Sequence, residues 1–76
     1  MPTAPAPYKV IANDFAAKIK SGELKPGAKL PSTRQIADQY GVSMNTAYRA
    51  MSLLHDRELI IGQPGRGTYV AEPPTA

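Results

Sequence analysis

Apolar residues recur at helical spacing from Tyr8 to Leu54 and then give way to strand-type residues around a Gly/Pro turn. Tyr8, Ile11, Ala12, Phe15 and Ile19 predict a first helix that starts at Pro7 or Tyr8, where proline suits the first turn, and ends at Gly22. The segment from Gly22 to Pro31 combines Pro26 and Gly27 with Leu24 and Leu30, so it reads as a tight connection pinned to the core at two points, with a short strand at Lys29 and Leu30. Ser32, with Gln35 three residues on, has the spacing of a capping box. It opens a second helix with Ile36, Ala37 and Tyr40 inward and Arg34, Gln35, Asp38 and Gln39 toward water, closed by Gly41 in a left-handed conformation. Ser43 caps a third helix running to His55, whose inner face is Ala47, Ala50, Met51 and Leu54.

The outer face of that third helix carries Asn45, Tyr48, Arg49 and Ser52, all able to hydrogen-bond. Only Gly41, Val42 and Ser43 separate the second helix from the third, the spacing of a helix-turn-helix, whose second helix commonly lies in the DNA major groove. Beyond Glu58, the run Leu59 to Ile61 and the segment Thr68 to Ala71 flank Gly62 to Gly67, a hairpin signal. Its tip places Arg66 between Gly65 and Gly67, where the backbone can approach another surface closely and the guanidinium projects. A basic β tip after a helix-turn-helix makes a winged helix, and a narrow minor groove attracts such an arginine. The expected fold is therefore mainly α with a small β-hairpin, a winged helix-turn-helix over residues 8–71. Residues 1–7 and 72–76, which hold five of the eight prolines, are expected to be disordered tails.

Length and composition narrow the functional classes. At 76 residues the chain is one domain with little room for an enclosed active site. Nine Lys and Arg against six Asp and Glu leave a charge of +3, which favours a polyanionic partner. The absence of Cys, and a lone His55 without clustered carboxylates, argue against catalysis, a metal site or a cofactor site. The Gly65-Arg66-Gly67 run is not a phosphate loop, because it leads into a strand. No stretch approaches a membrane span, so the chain reads as soluble and cytoplasmic.

The segments IKSGELKPGAKLPSTRQIADQYGVSMNTAYRAMSLL and PGRGTYV, in this order and spacing, resemble the N-terminal DNA-binding domain of the GntR family of bacterial transcription regulators over residues 8–71. The resemblance implies a transcription regulator, a repressor in this reading, that binds operator DNA as a two-fold dimer. It implies phosphate contacts from Ser32, Thr33 and Arg34, a major-groove approach by Ser43, Met44, Asn45 and Thr46, and minor-groove contacts from Gly65, Arg66, Gly67 and Thr68. The chain departs from the family's pattern at Met44 and Tyr48, where arginine is common, and at Arg49, where an acidic or polar residue is more usual. Base reading is therefore assigned to Asn45, Tyr48 and Arg49, of which Asn45 and Arg49 have the chemistry for adenine and guanine respectively. Family members usually continue into an effector-binding or dimerising domain; the chain ends at Ala76, so it is either a minimal regulator or a fragment, with no effector site visible. With no heptad seam to hold a dimer, it is expected to be monomeric in solution and to pair on a palindromic operator, with Tyr8 as an accessory contact. The competing reading is a winged helix that docks proteins without binding DNA, which would show an apolar patch on the third helix or the wing.

Overall fold

The computed structural model describes residues 6–72, so of the tails expected at residues 1–7 and 72–76 the stretches 1–5 and 73–76 lie outside the described residues. Within the described residues the chain forms α1 (Pro7–Ser21), α2 (Thr33–Tyr40), α3 (Met44–Asp56), β1 (Ile60–Gln63) and β2 (Gly67–Val70). α1 starts at Pro7, one of the two starts expected for it, so the front tail stops short of that residue, and Ala6 is extended before it as the cap. Proline fits there because its fixed φ matches the helix and its missing N–H would have had no helical partner. Gly22, at φ 87°, ends α1 by turning its N–H back to the Ile19 carbonyl.

The three helices close around α3, which packs against both α1 and α2. Ile11, Ala12 and Phe15 from α1, Ile36 and Ala37 from α2, and Ala47, Ala50, Met51 and Leu54 from α3 form one buried cluster with Leu30, Ile60 and Val70. The alanines matter because short side chains at the contacts let helices of only 8 to 15 residues approach closely and bury branched neighbours between them. At the margin Tyr40 tilts against Phe15 with ring centroids 6.3 Å apart, and its hydroxyl donates to Asp14 at 3.3 Å, tying α2 to α1. Burial, and then the charge and hydrogen bond of Asp14, raise the Tyr40 hydroxyl above the usual phenol range.

The stop between α2 and α3 follows the expected chemistry. Gly41 takes φ 65° and the Val42 N–H returns to the Ala37 carbonyl at 3.0 Å, satisfying carbonyls at the end of α2. The chain then turns directly into Ser43, which caps α3.

β1 and β2 pair antiparallel with Ile60 opposite Val70 and Gln63 opposite Gly67. At the tip, the Arg66 N–H donates to the Gln63 carbonyl at 3.0 Å across Pro64 and Gly65, and Gly65 has φ 75°, the arrangement of a type II turn. The strand expected at Lys29 and Leu30 is present as a single bridge, Lys29 to Tyr69, flanked by backbone hydrogen bonds from Leu30 to Thr68 and from Val70 to Ala28. The wing is therefore held on both edges of β2, by β1 on one side and by the chain leading into α2 on the other.

α3 ends in an unusual way. Glu58 is the one residue besides glycine with positive φ, at 60°, among the described residues. Its N–H bonds the His55 carbonyl and the Leu59 N–H reaches the Leu54 carbonyl, a left-handed helix stop built on a side chain that disfavours it. Replacing Glu58 by glycine removes the Cβ clash but adds unfolded-state freedom, leaving a net gain of about 0.5 to 1 kcal/mol. Glu58→Gly should raise Tm by roughly 2 to 8 °C in a domain of this size, while Glu58→Ala, which keeps the Cβ, should not. A thermal melt in which glycine lowers Tm would remove the strain from this account.

Candidate nucleic-acid interface

Two clusters of polar and basic residues stand out, each positioned by a different part of the fold. The first is the exposed side of α3. Ser43 Oγ accepts from the Thr46 N–H at 3.1 Å and donates to Thr46 Oγ1 at 3.1 Å. Ser43 is thereby fixed as a cap, while the Thr46 hydroxyl, already accepting, keeps its own proton for an outside acceptor. Met44, Asn45, Tyr48 and Arg49 are all exposed, Tyr48 most openly among the large apolar side chains at 57%. The first turns of α2 and α3 contain no acidic residue, so the positive ends of both helix dipoles are left uncompensated, a setting that favours phosphate.

The second cluster is an open groove of about 650 Å³ between the wing and the start of α2. Gly65, Arg66, Gly67 and Thr68 form one wall, and Ser32 and Thr33 the other. Ser32 is held by a full capping box: its Oγ accepts from the Gln35 N–H at 3.1 Å, and its N–H donates to Gln35 Oε1 at 2.8 Å. Arg34 is exposed one residue further along α2 and is not part of the groove's lining. The structure thus brings Ser32, Thr33 and the wing residues together, and groups Ser43 to Arg49 separately on α3.

Two residues with a place in this surface were not assigned to it from the sequence. Lys29 lies across Gly67: a Cβ added at Gly67 would meet Lys29 Cε at 3.1 Å. Arg66 is therefore not the only cation at the wing, and Gly67, at φ 125°, is where the lysine crosses the strand. The alternation of buried Leu30 with exposed Lys29 was the available signal, since period two places Lys29 on the outer side of the strand segment. The other residue is Tyr8, expected as a contact between copies. It is half-buried against the core, and the Arg49 guanidinium lies over its ring, 4.6 Å from the centroid. No linear pattern connects these two positions.

Residues 7–70 match the family described as bacterial regulatory proteins, gntR family. The HTH-type transcriptional repressor NagR of Bacillus subtilis (strain 168) is 41% identical over 66 residues, covering 87% of this chain and 27% of the relative. YtrA from Sulfolobus acidocaldarius, a GntR-family transcription factor, superposes with a TM-score of 0.85 at 40% identity, over 96% of this chain and 76% of that one. The AraR DNA-binding domain in complex with operator ORR3 superposes with a TM-score of 0.87 at 27% identity, over 93% of this chain and 86% of that one. The chain spans less than a third of the length of NagR.

Proposed function

Since the chain belongs to the GntR family of bacterial regulatory proteins, we propose that it binds a specific double-stranded operator sequence and regulates transcription in the cytoplasm, as a repressor. α3 enters the major groove, where Asn45, Tyr48 and Arg49 read bases and Met44 meets a thymine methyl or a sugar. Ser43 and Thr46 approach the backbone at the helix start, Ser32, Thr33 and Arg34 hold phosphates from α2, and Arg66, with Gly67 and Thr68, lies in the minor groove. The observation that carries this reading is a surface in which two uncompensated helix N-termini and a doubly basic wing occur on a fold that superposes on an operator-bound domain. The apolar stripes of the three helices are used up by the core, so two copies pair on a palindromic site, with DNA supplying the proximity.

A protein-docking winged helix is the second reading, favoured by the exposure of Met44 and Tyr48 on α3 and of Ile61 on β1. Selection from a random duplex pool separates the two. The expected product is an enriched sequence with two-fold half-sites, and sedimentation should find a monomer alone and two copies on the enriched duplex. On that duplex Arg49→Ala should lose about 1 to 3 kcal/mol of discrimination relative to random DNA. Equal losses on both duplexes would move Arg49 to the phosphates, and a pool that enriches nothing would leave the docking reading standing.

A further inference from the structure

Among the described residues, no carboxylate is found in an ion pair with Arg49. One turn away along α3 its neighbours are Asn45, Thr46, Ser52 and Leu53, and the residues one turn after Tyr8 on α1 are Ile11 and Ala12, so neither helix offers a carboxylate at the spacing that would pair with it. What meets its guanidinium is the face of Tyr8, at 4.6 Å. The arginine is exposed while the tyrosine is half-buried and packed against the core, so the ring is the fixed member of the pair and the arginine the mobile one. A guanidinium stacked on a ring uses its flat face and leaves its edge, with five N–H donors, directed outward.

We propose that Tyr8 is a positioning residue for DNA recognition: its ring, anchored in the first turn of α1, holds Arg49 in a limited set of rotamers with the donor edge free for a guanine. This rests on the DNA reading above and extends it, because it brings α1 into specificity through a residue that touches no base. Arg49 otherwise sits on the solvated side of α3, on a flexible stem whose ordering opposes binding. Stacking meets part of that cost before the DNA arrives. The useful part of Tyr8 is its face rather than its hydroxyl, which gives the proposal a conservative variant to test.

Two measurements on the full chain decide the matter. In the free protein, the ring current of Tyr8 should move the Arg49 δ protons and the Nε–H signal upfield in the NMR spectrum; the shift should persist in Tyr8→Phe and vanish in Tyr8→Leu, with thermal melts showing both variants folded. In titrations of the enriched duplex against a random duplex, Tyr8→Leu should lower the specificity ratio by about threefold to tenfold, Tyr8→Phe should restore it, and Tyr8→Leu added to Arg49→Ala should lower it no further. An unshifted Arg49 signal in the wild type overturns the proposal. So does a Tyr8→Leu effect of the same size with Arg49 present or absent, which would make Tyr8 an independent contact. A wild-type chain that prefers no duplex overturns the DNA reading itself and is seen in the first titration, whereas a wild type that discriminates beside a Tyr8→Leu variant that discriminates equally well overturns this proposal alone.

Discussion

Leu54→Ala is expected to cost about 3 kcal/mol, in the middle of the range for a buried leucine truncated where the surroundings collapse only partly. Leu54 is fully buried on α3, in the same cluster as Ile11 of α1, Ile36 of α2 and Ile60 of β1. That cluster draws on every helix and both strands, and side chains held by separate elements cannot all move inward together to fill the space that alanine leaves. In a domain of this size each kcal/mol corresponds to roughly 4 to 8 °C, so Tm should fall by about 12 to 24 °C. The Leu54 carbonyl also accepts the Leu59 N–H at the helix stop, so loosening there passes to the start of the wing. Thermal and urea unfolding check the size of the effect, and a loss below about 1 kcal/mol would mean that the core repacks freely around α3.

The parts of this fold that could be read from the sequence are those in which one local cause is sufficient. Ser32 with Gln35, Ser43 before α3, and Gly22 and Gly41 after α1 and α2 each satisfy backbone groups within a few residues of themselves, so spacing alone identified them. The inner stripe of α3 was legible for a related reason: Ala47, Ala50, Met51 and Leu54 repeat at helical spacing because one face meets the core. What escaped depends on pairs that are distant along the chain. Lys29 reaches Gly67 only after the wing folds back on the segment before α2, and Arg49 meets Tyr8 only once α1 and α3 have packed. Glu58 carries no local signal for its turn, because propensity points to glycine at a left-handed helix stop, and here the burial of Leu54 and Ile60 on either side fixes the turn in spite of it. Periodicity places Asn45, Tyr48 and Arg49 on the exposed face of α3, but it does not tell a free arginine from one stacked on a neighbouring helix.

The dependence of DNA affinity on salt should be large and should divide the basic residues by role. Lys29, Arg34 and Arg66 are all exposed, two of them at the wing and one on the first turn of α2. Six such cations across a pair of copies would give a slope of roughly −5.4 in log K against log salt, a loss of about a thousandfold between 50 and 200 mM. Arg66→Ala and Lys29→Ala, each present in both copies, should reduce the slope to roughly −3.6. The two variants should then part company on sequences flanking the half-sites. An arginine lying in the minor groove gains from the narrow, strongly negative groove of A·T tracts, so Arg66→Ala should abolish a preference for A·T-rich over G·C-rich flanks. Lys29 is spread along Gly67 at the base of the tip, where a point charge serves a phosphate whatever the bases, so Lys29→Ala should weaken both duplexes alike. Unchanged affinity of Arg66→Ala on A·T-rich flanks would show that the wing does not read the groove, and a slope near zero in the wild type would return the chain to the protein-docking reading.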